Sequence, residues 1–230
     1  MSAAGRSRPR SPRRPRRPLG AVLVGGGSRR YGSPKALAPL GDVPMAVRVV
    51  RALRPHADPV VLVGADEALA AELGVQGIAD LRPGAGPLAG LEAALERARA
   101  LGREGALVVA CDLPLVTAEL FAALLARAGE PSEEGEEGVP HAVLPESGGP
   151  VGIEPLCAWY APGALEPVRA LLDRGKRSME GAVAGLRLRR LAVEAVEAVG
   201  PPDELFLNVN TPEERRRAEA ILGRLEEAGA

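Results

Sequence analysis

The chain has 230 residues, 46% of them hydrophobic, a formal net charge of −1 and two cysteines. That length suffices for one large domain or two small ones with a substantial core, and no apolar run approaches the about 18–20 residues of a helical membrane span. Residues 1–18, "MSAAGRSRPRSPRRPRRP", hold seven arginines and no acidic residue, so the remainder is net acidic. This weighs against a nucleic-acid-binding globular part, whose footprint is a basic face.

The Arg/Pro/Ser tail has no periodic apolar residue and cannot bury enough surface to order itself. It reads as a disordered extension or an upstream start codon chosen in error, with an electrostatic tether as the sharper reading. It lacks the apolar stretch and cleavage site of a secretory signal. Cys111 and Cys157 lie in apolar surroundings and read as buried free thiols of a cytoplasmic protein.

From Leu19 the chain alternates short apolar runs with helical patterns. "GAVLV" (20–24), "PVVLV" (59–63), "VQGIAD" (75–80) and "GALVVAC" (105–111) predict buried strands. Between and after them, helices are predicted over 44–55, with Pro44 as first helical residue, 66–73, 87–101 and 117–128, the last capped by Thr117. The acidic segment 130–138 reads as a flexible loop. Strands follow at 141–145 and 155–160, helices near 162–174 and 178–184, a strand near 186–193, and a terminal helix from Pro212. Uninterrupted apolar strands alternating with helices predict a mostly parallel sheet covered on both faces, in one domain over 19–230. Ligands of such sheets bind beyond the C-terminal strand ends, here just after Val24, Val63, Ile78 and Ala110.

The first of these positions opens "LVGGGSRRYGSPK" (23–35). A Walker A loop places lysine directly after the second glycine, but Ser33 and Pro34 separate Gly32 from Lys35. A dinucleotide fingerprint fails too, because Arg30 stands at its third glycine position. What remains is a glycine turn whose amides can approach an anion, with Arg30 and Lys35 as phosphate-seeking cations. Lys35 and Lys176 are the only lysines, so a lysine in this loop stands out in an arginine-rich chain.

The loop resembles the G-G-x-S-x-R-M-G-x-D-K signature of nucleotidyltransferases acting on the molybdenum cofactor. With "IADLRPGAGPLAGLEAAL" (78–95), "VVACDLPLV" (108–116), "EPLCAWY" (154–160) and "FLNVNTPEE" (206–214) in the same order, the chain is most similar to the molybdenum cofactor guanylyltransferase (MobA) family. The resemblance implies an α/β three-layer sandwich with the Rossmann-like nucleotidyltransferase (nucleotide-diphospho-sugar transferase) fold. It implies transfer of GMP from GTP to the phosphate of molybdopterin, with pyrophosphate leaving. The alternatives are a CTP-dependent cytidylyltransferase, a nucleotidyltransferase with another phosphate acceptor, or a binding module without turnover. Magnesium is the implied cofactor, and molybdopterin-delivering proteins and molybdoenzyme chaperones are implied partners; neither membrane nor nucleic acid is.

By that resemblance, Lys35 and Asp112 are catalytic. Leu23, Val24, Gly25, Gly26, Arg30, Lys35, Asp80 and Asp112 bind nucleotide, the first three through backbone atoms, and Asp112 holds the metal. A single aspartate at a strand end is enough, since magnesium takes one or two carboxylates and completes its shell with phosphates and water. Gly84, Gly86 and Gly90 are expected to let the chain close over the nucleotide. Asn208 and Asn210, the only asparagines, are assigned to the acceptor; on a strand they would share one face. Thr211, Pro212 and Glu214 form a capping-box signature. Tyr31 and Pro34 depart from the family pattern, which has Met and Asp there.

Overall fold

The computed structural model describes residues 17–24, 35–131, 138–148 and 152–229. In chain order, β1 (Leu19–Leu23) is followed by a 3-10 turn (Lys35–Leu37), β2 (Pro39–Leu40), β3 (Val43–Pro44) and α1 (Met45–Leu53). Next come β4 (Val60–Val63), α2 (Glu67–Glu72), β5 (Gln76–Ile78), α3 (Pro87–Ala100), β6 (Ala106–Ala110) and α4 (Ala118–Gly129). The chain continues through β7 (Ala142–Pro145), β8 (Cys157–Tyr160), α5 (Leu165–Asp173), α6 (Met179–Val183) and β9 (Leu188–Leu191), then α7 (Val193–Glu197), α8 (Pro202–Leu205) and α9 (Pro212–Gly229).

Among the described residues, seven strands form one sheet in the order β5-β4-β1-β6-β8-β7-β9. Strands β5, β4, β1 and β6 are mutually parallel; β8 runs antiparallel to both β6 and β7; β9 is parallel to β7. Strand pleating sends successive side chains to opposite faces, and β1 shows the result. Leu19, Ala21 and Leu23 join α3, α5 and α6 in one buried cluster, while Val22 and Val24 join α1, α2, α4, α7 and α8 in the other. This is the mostly parallel three-layer sandwich expected. A third cluster, with Leu40, Met45, Leu115, Val209 and Ile221, ties α9 to the β2–β3 hairpin.

Local chemistry accounts for most element boundaries. Asp66, Thr117 and Ser178 cap α2, α4 and α6, each side chain accepting from the N–H three residues on. Helix α4 ends against Arg189, 2% exposed, whose guanidinium donates to the carbonyls of Arg127, Glu130 and Pro131. A buried cation there satisfies carbonyls that have no helical partner and complements the helix dipole.

Several boundaries differ from expectation. Pro44 is not the first residue of a helix: its ψ of 141° is extended, and it pairs with Pro39 in the β2–β3 hairpin. The strand expected near 186–193 stops at Leu191, and α7 begins at Val193. Pro155 and Leu156 form a turn ahead of β8 rather than part of it. Helices α7 and α8 and the hairpin have no counterpart in the sequence reading, because two- to five-residue elements carry no periodicity to read. The tail up to residue 16 and positions 132–137 of the acidic segment lie outside the described residues; the carbonyl of Pro18 accepts from Asp58 N–H at 2.9 Å.

Candidate active site

The parallel strands deliver their C-terminal ends to one edge, where the sequence-marked residues gather. Lys35 opens the 3-10 turn, Asp112 follows β6, and Asn210 precedes α9. The ammonium of Lys35 donates to Asp112 Oδ2 at 2.8 Å and to Asn210 Oδ1. Three segments separated by 77 and 175 positions in sequence thus meet at one nitrogen. Backbone contacts hold them: Val209 N–H donates to the Asp112 carbonyl at 2.9 Å. Glu214 accepts from the N–H groups of Asn210 and Thr211 at 2.7 and 2.8 Å, and its own N–H donates to Thr211 Oγ1. This is the capping box read from the sequence. The Asn210 N–H, then Thr211 and the nearby Lys35 charge hold the Glu214 carboxyl below its ordinary range.

Lys35 and Asp112 are 17% and 26% exposed, so the pair is reachable. Opposite charges about 3 Å apart attract by roughly 5 kcal/mol at an effective dielectric of about 20, yet measured partly exposed pairs net only ~0–1 kcal/mol. A polyphosphate carrying several charges competes easily for Lys35. The arrangement therefore parks a cation and a carboxylate on each other.

At the end of β1, the Leu23 carbonyl accepts from Cys111 N–H and the Val24 N–H donates to the Val63 carbonyl, each at 3.0 Å. Those two groups hold the sheet together. The Val24 carbonyl accepts no backbone hydrogen bond among the described residues. Gly25, Gly26 and Arg30, with Tyr31 and Pro34, lie outside the described residues. Asp80 follows β5 on the far side of β4, half-buried, and burial raises its carboxyl above the ordinary range.

Gly90 packs α3 against β1. A Cβ there would lie 3.1 Å from Leu23 Cδ2, so its smallness lets α3 pack tightly on β1. Gly86, at φ +79°, precedes Pro87 at the start of α3, where a Cβ would meet the Arg177 carbonyl at 3.2 Å. The loop carrying Asp80 is anchored to α3 by charge. Arg82 donates to Glu92, which is 3% exposed, at 3.0 Å and to Asp173 of α5 at 2.6 Å, and Arg169 donates to Glu92 from the other side.

Asn208 and Asn210 flank buried Val209 in an extended segment that is not a strand. Only Asn210 reaches Lys35; Asn208 lines a separate cavity of about 610 Å³ with Leu113, Glu154 and Met179. Glu154, which opens the "EPLCAWY" segment, lines this second cavity and was given no role by the sequence. Its signal was a lone acid in an otherwise apolar run. The Cys111 and Cys157 thiols are both buried and free. Burial pushes Cys111 up to about 12 and Cys157 further, so neither is a nucleophile at neutral pH.

Comparison with known proteins agrees with this geometry. The MobA-like NTP transferase domain family matches residues 20–185. The chain is 40% identical over 204 residues to a probable molybdenum cofactor guanylyltransferase of Opitutus terrae, covering 86% of this chain and 93% of that one. It is 32% identical over 212 residues to a molybdenum cofactor guanylyltransferase of Desulfosudis oleivorans, covering 88% and 95%. Among solved structures, molybdopterin-guanine dinucleotide biosynthesis protein A from Archaeoglobus fulgidus superposes with a TM-score of 0.70 at 30% identity, over 90% of this chain and 99% of that one. The fold, the site at its strand ends and these relatives agree: the chain belongs to the MobA-like NTP transferase family.

Proposed function

We propose that this nucleotidyltransferase moves a guanylyl group from GTP to the terminal phosphate of molybdopterin. An oxygen of that phosphate attacks the α-phosphorus, the bond from the α-phosphorus to the bridging oxygen breaks, and pyrophosphate departs with the electron pair. The meeting of Lys35, Asp112 and Asn210 carries this reading, since it supplies a phosphate-seeking cation, a metal-seeking carboxylate and a neutral donor/acceptor at one point. The attacking phosphate is already anionic, so no general base is required, and positioning with charge neutralisation supplies the catalysis. On this reading Lys35 turns from Asp112 to the triphosphate, and Gly25, Gly26 and Arg30 complete the cradle. The Val24 carbonyl and Asp80 contact the nucleoside, and Asn208 and Asn210 face the acceptor.

Magnesium fits the donor set. Among the described residues, no three His, Cys, Asp or Glu side chains group around a metal-sized site, and one exposed carboxylate completed by substrate phosphates and water is how this ion binds. Asp112 would hold it, and the bound ion neutralises charge on the phosphates. Among the described residues no helix is long and apolar enough to cross a membrane. A cytoplasmic enzyme exchanging its substrate and product with molybdopterin-delivering proteins and molybdoenzyme chaperones completes the proposal.

The test is pyrophosphate release with each of the four nucleoside triphosphates in magnesium, with and without molybdopterin. Release with GTP that depends on the acceptor supports the reading, and release with CTP alone contradicts it.

A further inference from the structure

The cavity at Glu154 sits where the direction of the sheet changes. Because β8 runs antiparallel to β6, with Val109 opposite Cys157, the residues just before β8 come to the edge where β6 ends. The Ala110 N–H donates to the Leu156 carbonyl at 2.9 Å, and Glu154 N–H donates to the Pro145 carbonyl at 3.0 Å. The resulting cavity, about 610 Å³, is walled by apolar groups such as Leu113, Ile153 and Met179, with Glu154, Ser178, Glu180 and Asn208 as its polar members among the described residues. Its size suits a small bicyclic ligand. Glu154 is half-buried, and burial raises its carboxyl above the ordinary range, an effect the Ser147 hydroxyl partly offsets.

Among the described residues, no lysine, arginine or histidine lines this cavity. Its two carboxylates, Glu154 and Glu180, repel a phosphate. The ligand must instead present hydrogen-bond donors on a flat, largely apolar body. A carboxylate pairs best with two parallel N–H groups. In the proposed reaction one chemical group offers that pair, the 2-amino-4-oxopyrimidine edge, and both reactants carry it: guanine in GTP and the pterin in the acceptor.

We infer that Glu154 reads the 2-amino-4-oxopyrimidine edge of the acceptor's pterin, which makes it a specificity-determining residue for the acceptor. Position selects the pterin over guanine. Mononucleotides bind on the parallel βαβ half of such sheets, here β5-β4-β1-β6 with Asp80, whereas Glu154 lies beyond β6 on the opposite flank. The two reactants enter from opposite sides and their phosphates meet at Lys35 and Asp112. This inference rests on the proposed guanylyl transfer.

The test uses Glu154→Gln, which keeps the shape but turns one acceptor into a donor facing a donor, and Glu154→Ala. Both are expected to raise KM for molybdopterin about 10- to 100-fold, with GTP affinity within about twofold of the parent. An unchanged KM overturns the inference, as does a loss that falls on GTP affinity, since the edge read is then guanine's. A second measurement needs no variant. 6-Hydroxymethylpterin, which carries the edge without a phosphate, is expected to inhibit the unaltered enzyme competitively against molybdopterin and not against GTP. Absence of that competition also overturns the inference. Failure of the guanylyl-transfer reading is distinct, because the unaltered enzyme then shows no GTP-dependent release in the presence of molybdopterin.

Discussion

The two halves of the sheet meet the same edge by different routes. On the parallel side, β5, β4, β1 and β6 each end there, so Asp80, the Leu23–Val24 strand end and Asp112 arrive as a direct consequence of strand direction. On the other side, β8 begins at that edge, and Glu154 arrives because the chain reverses between β6 and β8. The parallel half supplies charge that meets charge, with Lys35 parked on Asp112. The far half supplies a carboxylate in a cavity that has no cation among the described residues. A fold that brings both to one edge can separate phosphate chemistry from recognition of a neutral ring.

The largest expected effect breaks the charged half. Asp112→Asn removes the carboxylate that pairs with Lys35 and is proposed to hold the metal, and should lower the rate of pyrophosphate release by about 10²–10³-fold. Native GTP binding with near-parental turnover would take Asp112 out of the chemistry.

A stability effect without a chemical one should follow from Glu92→Ala. Removing one partner of a fully buried ion pair costs about 3–5 kcal/mol. Arg82 and Arg169 keep solvent access, at 35% and 27% exposed, which brings the expected loss to about 2–3 kcal/mol. Thermal melts should show Tm lower by about 5–10 °C, with KM for molybdopterin unchanged.

Loss of the capping box in Glu214→Ala should cost about 1 kcal/mol, or about 2–4 °C in Tm. Because the Glu214 carboxyl is held below its ordinary range, its contribution is complete above that range and disappears as the pH falls through the lowered value. The difference between parent and variant should therefore vanish in acid.

Asp80 has the opposite sign. Burial raises its carboxyl, so its share of stability is present in acid and lost as the pH rises past the raised value. Asp80→Asn should raise Tm slightly near neutral pH, by up to about 2 °C, leave it unchanged near pH 3, and weaken GTP binding. A variant less stable at neutral pH would show that Asp80 gains more from its surroundings than it loses by burial.

How much of this was legible in sequence follows from the same contrast. Uninterrupted apolar runs fixed the parallel strands, and a strand end is where a lone aspartate such as Asp112 becomes conspicuous. Thr117 and the Thr211–Glu214 box could be read because capping is local. Glu154 could not be assigned a role from its neighbours, because its importance depends on an antiparallel pairing between β6 and β8, two strands separated by α4 and β7. Asn208 and Asn210 were read as a pair facing one way, whereas the turn into α9 gives one to Lys35 and the other to the cavity. Glu92 looked like an ordinary helical charge until α5 and the Arg82 loop packed over it.

The most direct measurement follows the α-phosphate. With GTP radiolabelled at that position, magnesium and molybdopterin, the label should enter a pterin dinucleotide that yields labelled GMP on pyrophosphate-bond cleavage. Asp112→Asn should slow that transfer by about 10²–10³-fold. Label that remains in free nucleotide, or that enters the product only from CTP, would contradict guanylyl transfer at this site.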